Sequence, residues 1–168
     1  MLCARKARVL KLYSTALSPM ASITKNWLHL YQGHEKTFLP GDIILDATVV
    51  HGFNRGSKDL GFPTANLNMD QLGDRAKELE PGIYYGTATL KDVAYPTVVS
   101  VGWNPFYKNE KKTIEAHLLH KFEKDFYDDR LIVNLQGYLR PEANFESLDD
   151  LISAINSDID IARQRLNK

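Results

Sequence analysis

Cysteine is almost missing: Cys3 is the single one in 168 residues, so no internal disulfide can form and a reducing compartment is favoured. Long hydrophobic runs are missing as well. No stretch approaches the roughly 18–20 apolar residues that a membrane helix needs, which excludes a helical bilayer span. Excess charge of one sign is also missing. The 21 Lys and Arg balance 21 Asp and Glu, which argues against a protein built chiefly to neutralise phosphate backbones. With 10 Gly, 7 Pro, 43% apolar and 25% charged residues, collagen-like, mucin-like and globally disordered classes are excluded. What is present is enough chain for one domain of ordinary size with a real core.

The zero balance conceals two segments. Residues 1–34 hold Arg5, Lys6, Arg8, Lys11 and Lys25 and no acidic residue, leaving 16 basic against 21 acidic side chains in the rest, a net −5. The same segment carries Ser14, Thr15, Ser18, Ser22 and Thr24. Basic, hydroxyl-rich and acid-free is the composition of a mitochondrial transit peptide, and equally of an unstructured extension. Met20 offers an internal start that would remove most of it. No apolar core of a secretory signal follows the charges. Residues 1–39 are expected to be a basic extension, with the folded domain over 40–168 and a cytoplasmic or mitochondrial address.

From Pro40 onward β patterns lead and one helix closes. Ile43–Val50 is apolar and β-branched; Ile83–Leu90 and Tyr95–Val101 flank a Lys91–Ala94 loop that suits a hairpin. Thr113–His120 alternates, with Ile114, Ala116 and Leu118 on one face and Glu115 and His117 on the other. Leu131–Leu139 is a further strand with Gly137 as a bulge candidate. Strands at this spacing, without helices between them, indicate an antiparallel sandwich or small barrel. Leu148, Leu151, Ile152, Ile155, Ile159 and Leu166 recur at steps of three and four, the stripe of an amphipathic helix. Ser147 with Asp150 forms a capping-box pattern at its start, and Arg163, Arg165 and Lys168 suit the negative end of its dipole.

Chemistry concentrates in residues 52–66. Gly52, Gly56 and Gly61 with Arg55, Ser57 and Lys58 follow directly on a strand, and such a loop can turn its N–H groups inward as an anion nest with Lys58 as a mobile cation. The spacings of the Walker A and dinucleotide loops are absent, so an ordinary surface turn is the competing reading. In the extended stretch after Pro63, Thr64 and Asn66 face the same way and offer hard oxygen ligands for Mg²⁺. Alternatively both bond locally to the backbone. Glu115 in isolation is a solvated strand residue. His117 and His120, three apart on a strand, point to opposite faces and are not expected to chelate one zinc ion. Trp103, Tyr107 and Lys108 lie in a long loop that could form a mobile flap or a hydrophobic anchor; Lys111 and Lys112 are expected to be solvated. No sequence-specific nucleic-acid reader fits this loop.

The run Gly52-Phe-Asn-Arg-Gly-Ser-Lys-Asp-Leu-Gly-Phe-Pro-Thr-Ala-Asn66 closely resembles the signature of single-function eukaryotic riboflavin kinases. The resemblance continues through Pro81–Gly86, Ser100–Pro105, Glu115-x-His117-x-x-His120, Gly137–Glu142 and Ser147-Leu148, covering about residues 40–166. It implies a six-stranded antiparallel Greek-key β-barrel with a C-terminal helix packed on it. It also implies phosphorylation of the ribityl 5′-hydroxyl of riboflavin by ATP, giving FMN and ADP. On that pattern Thr64 and Asn66 hold a divalent metal (Mg²⁺, with Zn²⁺ or Mn²⁺ as alternatives), and Gly52, Arg55, Gly56, Ser57, Lys58 and Gly61 cover the ATP phosphates. Glu115 corresponds to the catalytic glutamate and Arg140 to a flap arginine near the flavin phosphate. Asn54, where many relatives carry glycine, is one departure and tolerates a left-handed conformation. The apolar isoalloxazine ring is expected against barrel and helix side chains such as Phe145 and Leu148. The expected form is a monomer. The rival reading is a non-catalytic flavin- or nucleotide-binding barrel; an FAD-forming bifunctional enzyme would need a further domain for which the chain has no room.

Overall fold

Six strands, most clearly alternating in Lys112–Leu118 and Arg130–Arg140, each turn one face inward and close on themselves. The computed structural model describes residues 23–24, 27–34, 38–52, 60–103 and 112–167. The leader residues 1–22 with Met20, together with Asn54, Arg55, Gly56, Ser57, Lys58, Tyr107, Lys108 and Lys111, lie outside the described residues. The strands are β1 (Ile23–Thr24), β2 (Phe38–Val50), β3 (Ala65–Leu67), β4 (Gly82–Leu90), β5 (Val93–Trp103), β6 (Lys112–Leu118), β7 (Arg130–Arg140) and β8 (Asn144–Phe145). A short helix α1 (Asp74–Glu78) follows β3, and the long helix α2 (Leu148–Leu166) ends the chain. Spatial order around the closed barrel is β2-β3-β6-β5-β4-β7, with every pairing antiparallel. Strand β7 returns beside β4 after the β4-β5-β6 meander, which is a Greek key. Among the described residues no helix is long and apolar enough to cross a membrane.

The expected strands are present with shifted ends, and the missing sixth is β3, too short to show alternation. Inward-facing Ala65, Leu67, Val99, Val101, Ile114, Ala116, Leu118, Leu131, Val133 and Leu135 fill the barrel. Lys91 and Asp92 both have positive φ (49° and 64°), as a two-residue type I′ turn requires, so Val93 and Ala94 belong to β5 rather than to a four-residue loop. The bulge expected at Gly137 is there: Tyr85 pairs with Gly137 and Gly86 with Leu135, leaving Gln136 over. A Cβ on Gly137 would lie 2.3 Å from the Tyr85 ring, so no larger residue fits beneath that ring.

A second apolar layer lies outside the barrel, where Tyr85, Val98 and Leu139 meet Ile159 and Ala162 of α2. The cap forms as expected: the Ser147 hydroxyl accepts from the Asp150 N–H at 3.1 Å and donates to the Asp150 carboxylate at 2.6 Å. Asp158 sits on the buried face of this helix, where an apolar residue would be expected. It receives two parallel hydrogen bonds from the Arg140 guanidinium, at 2.9 and 2.7 Å, and a third from the Tyr31 hydroxyl at 2.7 Å. Tyr31 lies in a 3-10 turn, Trp27–Tyr31, ahead of the expected domain start. Arg165 donates to the His34 carbonyl at 3.0 Å, and β1 pairs in parallel with β8. The packed body therefore begins well before Pro40, which itself falls inside β2. A buried charge deprived of its partner is costly. Asp158→Ala is expected to lower stability by about 3–5 kcal/mol in urea unfolding, and the double replacement Arg140→Met with Asp158→Leu to recover much of it. A loss below about 1 kcal/mol, the level of a surface pair, would contradict a buried pair.

Candidate functional site

Pairing of β3 with β6 places Asn66 directly opposite Glu115, and pairing of β5 with β6 places Ser100 opposite Glu115 on its other side. Directly opposed residues in a sheet share a face. Because Ala65, Leu67, Ile114 and Ala116 point into the core, the Ser100–Glu115–Asn66 row points outward. Thr64, one step ahead of β3, donates its hydroxyl to Glu115 Oε2 at 3.1 Å. The three expected site residues Thr64, Asn66 and Glu115 thus converge. Gly52 stands against them: a Cβ there would lie 2.3 Å from the Asn66 amide nitrogen, so the start of the glycine loop passes directly over that side chain. At the loop's other end Gly61 holds φ +88°, a left-handed conformation suited to glycine. A hydroxyl, an amide and a carboxylate within one row are hard oxygen donors of the kind a Mg²⁺-sized cation takes. The donor chemistry fits a divalent metal, although among the described residues no group of three His, Cys, Asp or Glu could hold one.

A groove of about 520 Å³ opens beside this row, bordered by Gly61, Pro63 and Thr64 on one side and by the segment 118–127 on the other. Its far wall is aromatic. Phe122 contacts Tyr95, His120 and Phe126 edge-on at centroid distances of 5.2, 4.8 and 4.9 Å, and Tyr127 stacks on His51 at 3.7 Å. Lys121, Lys124 and Arg163 also line it. His117 and His120 both reach this groove, contrary to the opposite-face expectation. The reason is that β6 ends at Leu118 and the chain turns, the His120 N–H donating to the Leu118 carbonyl at 2.7 Å. His117 Nδ1 bonds the Pro63 carbonyl at 2.8 Å, and burial holds the ring's pKa below its ordinary value despite that contact. Its role is to hold the Pro63–Thr64 stretch against β6.

The remaining expected residues lie elsewhere. Arg140 is 3% exposed, with its guanidinium committed to Asp158 and the Pro141 carbonyl rather than presented to a ligand phosphate. It sits 5.7 Å from the Phe145 ring, which is half-buried on β8, and half-buried Leu148 opens α2. Trp103 ends β5 with the Lys112 ammonium 5.1 Å from its ring. Lys112 is half-buried and donates to the Lys77 and Leu79 carbonyls, so it is a tether between β6 and α1 instead of a solvated charge. Two features were not anticipated. The aromatic segment 118–127 had a visible signal, since Phe122, Phe126 and Tyr127 interleave with Lys121 and Lys124 in a connection too long for a hairpin. Glu142 was visible only as the end of the Gly137–Glu142 motif, with no role attached: it is half-buried against Gly102, where a Cβ would lie 2.3 Å from Oε1.

Comparison with known proteins bears on the family and the fold. A family model described as Flavokinase, riboflavin kinase, matches residues 39–166. The human riboflavin kinase is 51% identical over 119 residues, which is 70% of this chain and 77% of that one. The solved riboflavin kinase of Trypanosoma brucei superposes with a TM-score of 0.62 at 29% identity, covering 76% of this chain and 81% of that one. A macrolide-efflux protein structure from Streptococcus pneumoniae matches with a TM-score of 0.63 at 28% identity, but this chain spans only 39% of it.

Burial pushes the Glu142 carboxyl up to about 7, against the opposing pull of Arg140. A carboxyl raised on folding contributes stability that is full below its ordinary value and is lost as pH rises through the folded one. Wild type is therefore expected to lose stability relative to Glu142→Gln between pH 5 and pH 8. Thermal melts across that range check this, and a constant difference between the two proteins would refute it.

Proposed function

Because this chain belongs to the riboflavin kinase family, we propose that Glu115 acts as general base while ATP phosphorylates the ribityl 5′-hydroxyl of riboflavin to FMN, with ADP released. The observation that carries the reading is the Asn66–Glu115 register, with the Thr64 hydroxyl on the same carboxylate. A primary alcohol is a weak nucleophile. A carboxylate in hydrogen-bond reach orients it and takes its proton as the oxygen attacks the γ-phosphorus and the bond to the ADP oxygen breaks. The Thr64 hydroxyl fixes the carboxylate's orientation before substrate arrives.

Thr64 and Asn66 are the residues suited to hold the divalent metal, Mg²⁺ by donor type, with Zn²⁺ or Mn²⁺ as alternatives. When bound, that ion supplies charge neutralisation for the transferring phosphoryl group. The groove beside Thr64 suits ATP: an aromatic wall for the base at one end, with Gly61, Pro63 and Thr64 at the other. Lys121, Lys124 and Arg163 at its rim add positive potential that draws a polyanion into a body of net negative charge. Riboflavin then lies on the opposite side of Glu115, toward Trp103, Phe145 and Leu148, so that its 5′-hydroxyl meets the γ-phosphate over the carboxylate. Most of the rate comes from this positioning, since phosphoryl transfer asks little covalent chemistry of the protein.

Incubation with riboflavin, ATP and each of Mg²⁺, Zn²⁺ and Mn²⁺, followed by chromatography, is expected to yield FMN. Glu115→Gln should lower kcat by about 10²–10⁴-fold with ATP affinity nearly unchanged. Wild-type turnover in that variant would remove Glu115 from the base role. Absence of FMN with every metal would favour a non-catalytic binding barrel.

A further inference from the structure

Gly102 and Thr113 form the next outward-facing pair along the β5–β6 ladder after Ser100 and Glu115. Gly102 and Glu115 are thus diagonal neighbours on the outer face, about 7–8 Å apart by sheet geometry. The Glu142 carboxyl occupies the space above Gly102 that a side chain there would fill. It is carried over from the far end of β7 by the Arg140–Pro141 corner. Among the described residues none hydrogen-bonds to it, while Arg140 and Tyr138 of β7 are the ionisable groups that sense its charge. Neither β5 residue beneath it, Gly102 or Trp103, is titratable. A half-buried carboxyl with this little compensation retains its capacity to bond an incoming hydroxyl, and burial without that bond keeps its pKa raised.

Resting on the kinase reading above, we infer that Glu142, seated on Gly102, hydrogen-bonds a secondary hydroxyl of the ribityl chain and makes the site selective for a polyhydroxylated alcohol. The geometry supplies the reach. With the 5′-hydroxyl at Glu115, the diagonal step to Gly102 is comparable with the length of the ribityl chain, and the flavin ring then falls beyond it toward Trp103 and β8. Gly102 is required because any Cβ there would displace the carboxyl. Glu142 is a specificity residue: it touches the substrate away from the reacting oxygen and takes no proton from it.

The test compares two substrates, riboflavin and a flavin carrying a 5-hydroxypentyl chain at N10, which keeps the primary alcohol and lacks the secondary hydroxyls. The wild-type chain is expected to prefer riboflavin in kcat/KM. Glu142→Met, which keeps chain length without a hydrogen-bonding oxygen, should reduce that preference about tenfold through the KM for riboflavin. Glu142→Gln, which retains an oxygen and an N–H donor, should preserve most of the preference. The ratio between substrates is independent of the fraction of enzyme folded, so a partly unfolded variant still reports. Wild-type FMN formation with a preference that Glu142→Met leaves unchanged would overturn this proposal alone. No FMN from the wild type would overturn the kinase reading and the proposal together.

Discussion

The register of β3 against β6 is the constraint on which the site depends. β3 is only three residues long, yet it closes the barrel by pairing with β2 on one side and β6 on the other. A slip of one residue would turn Ala65 and Leu67 out of the core and Asn66 into it, so the apolar interior fixes the pairing. That same pairing sets Asn66 opposite Glu115 and brings Thr64 onto the Glu115 carboxylate. Core packing and site geometry are therefore one constraint: the inward residues of β3 and β6 fill the barrel, and the alternate, outward residues of the same strands form the candidate site. Gly52, pressed against Asn66, links the glycine loop to this register.

The outer layer has a different logic. Helix α2 buries an apolar stripe against β4 and β5, but its centre is charged: Asp158 holds Arg140 and Tyr31 together in one network. Such a network ties three distant segments, the N-terminal turn, the end of β7 and the helix, into a fixed arrangement. Its net stabilisation is modest because burial of both charges offsets their attraction, whereas removal of either partner is severe. By holding the β7 end, the network also fixes where Glu142 leaves the strand, and so the space over Gly102.

Much of this was legible in the chain. The alternation through Thr113–Leu118 assigned Glu115 and His117 to one face, and the helix with its Ser147 cap was plain from spacing. Thr64 and Asn66 were readable as a same-face pair because Pro63 favours an extended chain. Other features were not. A three-residue strand has no period to detect, so β3 was seen only as an extended stretch. Asp158 breaks the apolar stripe at a position where sequence alone predicts a surface charge, and its partners lie 18 and 127 residues away. For Arg140 the motif suggested a ligand contact, while tertiary packing commits the guanidinium to Asp158. His117 and His120 were separated by strand periodicity, but the strand ends between them and the turn brings both to one groove.

The central claim is that substrate hydroxyl, phosphoryl donor and divalent cation meet over the outward β3–β6 row. A crystal structure with ADP, FMN and Mg²⁺ bound tests it most directly. The expected result is a cation held by Thr64 and Asn66, the adenine in the groove walled by Phe122 and Tyr127, and the flavin phosphate within hydrogen-bond reach of Glu115. Phosphates bound at the opposite end of the barrel, with Thr64, Asn66 and Glu115 contacting neither nucleotide nor cation, would contradict it.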